Sequence, residues 1–222
     1  MNLIPEIIFY DQALLVVNKP AGLLSIPDGH DPTKPYLRAV LEPQYGRLWI
    51  VHRLDKGTSG VLVLARSPEA HSALTMQFAE HRVAKTYQAI VVGQPPWDEE
   101  VTDTPLRSNV GRRKRTAVDY QRGKPAITEF RVLERFADHS LIEARPKTGR
   151  THQIRAHLYS LGYPVLADPL YGDAKPAPQI ERLALHAQGL TCNHPQSGEK
   201  NHFSAPLPPE FQAALTTLRE KP

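Results

Sequence analysis

Cysteine is almost absent from this chain: Cys192 stands alone among 222 residues, so no internal disulfide can staple the fold. No apolar run approaches the roughly 20 residues that a membrane-spanning helix needs. The first residues, Met1-Asn2-Leu3-Ile4-Pro5-Glu6, lack the basic stretch and apolar core of a secretory signal. Together these absences lead us to expect a soluble, cytoplasmic protein with no membrane partner. A Walker loop, a Rossmann glycine fingerprint and a strong metal-ligand set are missing as well. Cys192, His194 and His202 lie close together, but their spacing matches no zinc-finger or hydrolase pattern, so no metal is expected.

What is present begins with a hydrophobic fraction of 41%, too high for wholesale disorder. The length suits one large domain or two small ones, and the expectation is one domain, residues 1–222. Net charge is +4 and the pI about 9.2, a mild imbalance that by itself speaks to solubility. Its distribution says more. Between Arg107 and Lys124 lie seven basic residues, Arg107, Arg112, Arg113, Lys114, Arg115, Arg122 and Lys124, against the single acid Asp119. That segment reads either as a solvated hairpin tip or as a phosphate-binding surface.

Twenty-one prolines cut the chain into short elements, as at Ile26–Pro32 and Pro95–Asp98, and exclude long helical arrays. The segments Ile7–Tyr10, Leu48–Val51, Val61–Ala65, Tyr87–Val92, Ala126–Leu133 and Ser140–Ala144 read as strands. Their proximity in sequence suggests antiparallel pairing. Ser67-Pro68-Glu69 is a helix start, with Ser as N-cap and Pro at the first helical position. That helix should end near Arg82, with Leu74 and Phe78 on one face. A second helix is expected from about Thr151 to Gly162 with Ile154, Leu158 and Leu161 inward. A third follows Pro208-Pro209 and carries Phe211, Leu215 and Leu218. The fold class expected is α+β, a mixed, mainly antiparallel β-sheet core with flanking helices and loops.

The chemistry concentrates in His52-Arg53-Leu54-Asp55-Lys56-Gly57-Thr58-Ser59-Gly60, which sets one carboxylate, flanking cations and two glycines in a turn between two strand-like segments. Loops held in this way commonly carry function, although an Asp near Gly also caps turns. Near the expected second helix, Lys147, Arg150, His152 and Arg155 gather where free backbone N–H groups favour an anion.

His-Arg-Leu-Asp followed by Thr-Ser-Gly resembles the active-site motif of the RluA-type pseudouridine synthases. Further matches follow the family's order: Asn18–Leu24, Ala84–Gly93 with its tyrosine, and Pro146–Leu158 with its arginine. Leu185-His186-Ala187 and Phe203–Pro206 are family-like too. The resemblance implies the pseudouridine synthase fold and the isomerisation of uridine in RNA, without a cofactor. The N1–C1′ bond breaks, the uracil turns while bound, and C5 rejoins the sugar. It assigns Asp55 to start the reaction, as a nucleophile or as a base at C2′. Tyr87 packs on the uracil and assists loss of the C5 proton, and Arg155 pairs with Asp55, which keeps the acid ionised and aimed. Arg53 fills the stack left by a flipped-out nucleotide.

Lys147, Arg150, Arg112, Arg113, Lys114 and Arg115 are the expected RNA contacts. His52 is expected to make a structural hydrogen bond, Lys19 to support the sheet edge rather than to contact phosphate, and Gly57 and Gly60 to permit the tight backbone.

The first strand-like segment starts almost at once, so no added S4-type RNA-binding domain is expected. Specificity would then rest on the 107–124 segment and the Pro27–Pro35 loop. The partner implied is a stem-loop of ribosomal or transfer RNA, bound by a monomer. Two rivals stand beside this reading. A glycoside hydrolase needs a paired acid that the motif lacks. A catalytically inactive RNA-binding or ribosome-assembly protein would keep the fold, but the joint presence of Asp55, Tyr87 and Arg155 argues against it.

Overall fold

The structure, a computed structural model, describes residues 3–172 and 180–220. In chain order the elements are β1 (Glu6–Tyr10), β2 (Leu14–Lys19), α1 (Leu37–Tyr45), β3 (Trp49–Ile50), β4 (Ser59–Ala65) and α2 (Pro68–Ala79). There follow β5 (Ala84–Val92), β6 (Glu99–Thr102), β7 (Leu106–Val110), β8 (Arg115–Val118), β9 (Thr128–Arg135) and β10 (His139–Pro146). The chain continues through α3 (Gln153–Ser160), β11 (Leu185–Asn193), β12 (Lys200–Ser204) and α4 (Pro209–Arg219). The α+β class stands: every strand pair with a described register is antiparallel.

The chain gathers into two compact units, Met1–Lys85 with Ala187–Pro206, and Thr86–His186 with Leu207–Pro222. In the first, β1, β2, β4 and β11 are successive neighbours, β3 adds to β4 and β12 to β11. The central strand β4 is buried along its whole length, which is why Val61–Ala65 reads as an unbroken apolar run rather than an alternating one. Leu14, Val16, Val61, Val63, Leu74, Leu190 and Phe203 form this unit's core. Helix α2 begins as its sequence signals: the Ser67 hydroxyl accepts from the Ala70 N–H at 3.1 Å and Pro68 opens the first turn.

In the second unit the order is β5-β10-β9-β6, and β7 with β8 forms a separate hairpin. Ile90, Ile142, Ile154, Leu158, Phe211, Leu215 and Leu218 are buried in one cluster, so the faces expected of α3 and α4 are the faces that pack. The basic 107–124 segment contains this hairpin.

Several boundaries differ from expectation. The β3 strand keeps only Trp49–Ile50, and β9 starts at Thr128 because the Ile127 N–H goes to the Thr148 hydroxyl (3.0 Å) instead of to a strand. Helix α3 starts at Gln153, two residues late, because His152 takes a left-handed φ of 52° and caps without a side-chain bond. Gln153 supplies the missing partners: its Oε1 accepts from the Arg150 N–H (2.9 Å) and the Thr148 hydroxyl (2.7 Å). Helix α2 stops at Ala79, short of Arg82.

Candidate active site

Asp55 lies on the loop between β3 and β4, and the turn it heads is closed by its backbone carbonyl, which accepts from the Thr58 N–H at 3.0 Å. The loop is buttressed from the segment after β2. Buried Ser25 grips Leu54 on both sides, donating to its carbonyl (2.8 Å) and accepting from its N–H (3.1 Å). The Gly22 N–H donates to the Lys56 carbonyl at 2.7 Å. Lys19 is fully buried and donates to the Pro20 and Leu23 carbonyls at 2.9 and 2.8 Å. The Asn18–Leu24 and His52–Gly60 motifs are therefore one construction: a buried ammonium shapes the first loop, and that loop holds the residues on either side of Asp55. Where support of the sheet edge was expected of Lys19, its ammonium instead donates into this loop.

Gly60 begins the exit strand at φ 115°, and a Cβ there would collide with the Ala187 backbone. The glycine after Thr-Ser is thus required by the close approach of the Ala187 backbone. His52 stacks on Phe78 (ring centroids 4.7 Å apart), and its Nε2 accepts from the Val63 N–H at 3.0 Å. That bond requires an unprotonated Nε2. Burial, with the nearby Lys85 charge adding to it, pushes the imidazole pKa down to about 3. His52 is a neutral strut. Arg53, next in sequence, is exposed and makes no hydrogen bond or ion pair among the described residues.

In the second unit Tyr87 is half-buried on β5, opposite Ala144 of β10, with its ring against the core cluster. Two residues earlier on the same strand face is Lys85, whose pKa burial lowers to about 8.

Arg155 is 4% exposed. Its Nε and Nη2 form a fork with Asp168 at 2.7 and 2.8 Å, with side-chain exposures of 5% and 0%. Asp168 Oδ1 also accepts from the Leu170 and Tyr171 N–H groups at 2.9 and 3.2 Å, and the Tyr171 ring lies 5.1 Å from the guanidinium. Two residues flanking this assembly in sequence, His152 and Ala167, hold non-glycine φ values of 52° and 56°, strain of the kind concentrated at functional sites.

Tyr171 also reaches the basic hairpin. Its hydroxyl accepts from the Thr116 N–H (2.8 Å) and donates to the Thr116 carbonyl (3.0 Å). Arg115 lies 5.0 Å from the Tyr159 ring. Arg112, Arg113 and Lys114 stand exposed at the tip, residues 111–114. Lys147 pairs with Glu129 at 2.7 Å, both groups being exposed. Arg150 donates to the Pro125 carbonyl at 2.9 Å.

Sequence reading missed Ser25, Asp168 and Tyr171. Asp168-Pro169-Leu170-Tyr171-Gly172 carried a weak signal, a turn-forming acid thirteen residues after Arg155, but nothing local joins the two. Of the candidate zinc residues, Cys192 is buried in the core with its thiol pKa raised to about 11 by burial. His194 Nε2 donates to Asp11 (2.8 Å), and His202 shares a hydrogen with Thr191 (2.9 Å).

Residues 13–160 match the family model described as RNA pseudouridylate synthase. Ribosomal large subunit pseudouridine synthase D of Zymomonas mobilis subsp. mobilis is 42% identical over 230 residues, covering 96% of this chain and 72% of that protein. Dual-specificity RNA pseudouridine synthase RluA of Escherichia coli K12 is 40% identical over 201 residues, covering 90% and 92%. The solved structure of Human RNA Pseudouridylate Synthase Domain Containing 4 superposes with a TM-score of 0.79 at 28% identity, over 96% of this chain and 92% of that one. This chain belongs to the RNA pseudouridylate synthase family and is of the RluA type.

Proposed function

We propose that the chain isomerises specific uridines of ribosomal or transfer RNA to pseudouridine, with Asp55 initiating cleavage of the N1–C1′ bond. What carries the reading is the loop around Asp55, where Ser25, Gly22 and Gly60 hold the neighbouring backbone in place. A carboxylate that must meet one sugar carbon benefits from a preorganised support. The reaction balances without an outside reagent. The N1–C1′ bond breaks, the C5–C1′ bond forms, C5 loses its proton and N1 gains one. Tyr87 takes the place against the uracil ring and assists C5 deprotonation. Arg155, held by Asp168, is the cation that the family resemblance assigns to Asp55.

The target nucleotide is flipped from its stack at a cost of a few kcal/mol, and exposed Arg53 fills the gap. Arg112, Arg113, Lys114 and Arg115 contact phosphate. Lys147 and Arg150 extend that surface, although each already has a protein partner. The names of two relatives, a ribosomal large subunit enzyme and a dual-specificity RNA enzyme, support an RNA substrate, which we take to be a ribosomal or transfer RNA stem-loop. We assign the protein to the cytoplasm, as a monomer; no helix among the described residues is long and apolar enough to cross a membrane.

The test is release of tritium from RNA labelled at uridine C5, with the product nucleosides resolved by chromatography. Wild type releases tritium and yields pseudouridine, and Asp55→Asn yields neither while still binding RNA. Free uracil as the product would point instead to hydrolysis, and an active Asp55→Asn would remove the carboxylate from the mechanism.

A further inference from the structure

Tyr120 is 79% exposed, the highest value among the exposed large hydrophobics of the described residues. Its side chain has no hydrogen bond, ring contact or cation neighbour among them. Other tyrosines have such partners: Tyr10 lies under Arg66, Tyr163 meets Trp97 edge-on, and Tyr171 is bonded to Thr116.

The backbone that presents Tyr120 is nonetheless firmly built. Asp119 Oδ1 accepts from the Gln121 and Arg122 N–H groups at 3.0 and 2.8 Å, and the Asp119 carbonyl accepts from Gly123 at 2.8 Å. Asp119 donates its own N–H to the Pro105 carbonyl (3.0 Å), and Leu106 and Lys124 exchange two hydrogen bonds of 2.9 Å. Gly123 packs so closely on Asp119 and Pro105 that a Cβ would collide with both. A tight turn thus holds an unpartnered aromatic ring out in water.

The charge around the ring selects the partner. Arg122 and Lys124 are exposed on the same turn, and Arg112, Arg113 and Lys114 stand exposed at the far end of the adjoining hairpin. The one acid of the segment, Asp119, is already matched by Arg107 at 3.2 Å. An aromatic face beside Arg122 and Lys124, on a segment with further exposed cations, suits a polyanion that carries π-faces: cations take phosphates while the ring stacks on a base. Bases within a duplex are already stacked on both sides, so only an unpaired base can accept the ring.

We infer that Tyr120 is a stacking platform for an unpaired base of the substrate RNA, which directs the enzyme to loops or bulges rather than to continuous duplex. The inference rests on the RNA-modifying reading above and names the part of the RNA that the basic segment reads.

The experiment is fluorescence anisotropy with a labelled RNA stem-loop carrying a uridine-rich loop, and with the same stem as a blunt duplex. Binding of wild type is compared with Tyr120→Ala, Tyr120→Phe and Tyr120→Trp. Alanine should weaken stem-loop binding by between about five- and a hundredfold, the range for loss of one base stack. Phenylalanine and tryptophan should stay close to wild type, and duplex binding should not change. Tryptophan at 120 should also be quenched by the stem-loop.

Unchanged stem-loop binding by Tyr120→Ala overturns the inference, as does an equal loss on the duplex. So does wild type that binds neither RNA, or quenching of Tyr120→Trp by poly-glutamate as strong as by RNA, which would mark a surface for an acidic protein. Tritium release, assayed in parallel on wild type, separates the two readings. Pseudouridine formation with an indifferent Tyr120 sinks only the platform, and loop binding that needs Tyr120 without any pseudouridine sinks only the proposed activity.

Discussion

Asp168 and Glu129 each face one cation, and the difference between them is burial. The Arg155–Asp168 fork is 5% and 0% exposed; the Lys147–Glu129 pair is 51% and 40% exposed. Removing one partner of a buried pair leaves an uncompensated charge, so Asp168→Asn should destabilise the protein by about 3–5 kcal/mol, read by denaturant unfolding. Lys147→Ala should cost at most about 1 kcal/mol. Equal costs would mean that the fork is not what holds Arg155.

His52 gives the molecule a pH signature. In the unfolded chain its imidazole titrates near its ordinary value of 6.5, whereas in the fold burial holds it at about 3. Between those values the unfolded state binds more protons, so stability rises with pH across this window and is lost on acidification below about 6.5. The thermal midpoint should therefore drop between pH 6.5 and pH 4, and His52→Gln should flatten that part of the curve. A wild-type profile that is already flat there contradicts the neutral-strut assignment.

At the scale of elements, Tyr171 ties the β7–β8 hairpin to α3, since one hydroxyl serves both backbone groups of Thr116 while the ring lies beside Arg155. Tyr171→Phe keeps the ring and leaves a buried N–H without its acceptor, at a cost of about 1–3 kcal/mol. Trypsin should then cut after Arg112, Arg113 or Lys114 faster than in wild type. An unchanged cleavage rate would show that the hairpin is held elsewhere.

The elements also mark where the sequence was informative. Helices α2 and α4 were legible because each has its own start signal, Pro at the first turn, and an apolar stripe. Helix α1 was not, since Tyr36 offers no side-chain cap and Pro43 sits within its last turn. Strands β6, β7 and β8 carry Glu-Glu-Val-Thr, Leu-Arg-Ser-Asn-Val and Arg-Thr-Ala-Val, too short and too polar for a period-2 pattern. The Asp55 loop announced itself as one continuous motif. Its Ser25 clamp and the Asp168 partner of Arg155 join residues 29 and 13 apart, and no local pattern encodes such pairs.

For the molecule as a whole, the modest net charge of +4 conceals a concentration of cations on one hairpin and the turn beside it, and the specificity of the enzyme is expected to reside there. We propose that its chemistry rests on one carboxylate, Asp55, which turns uridine into pseudouridine at defined positions. The most direct measurement is a map of pseudouridines across total RNA from cells that lack the gene, cells that carry it, and cells that carry Asp55→Asn. The account predicts that one or a few sites in ribosomal or transfer RNA vanish with the gene, return with wild type and stay absent with Asp55→Asn. A map that is unchanged by loss of the gene, or restored by Asp55→Asn, would contradict it.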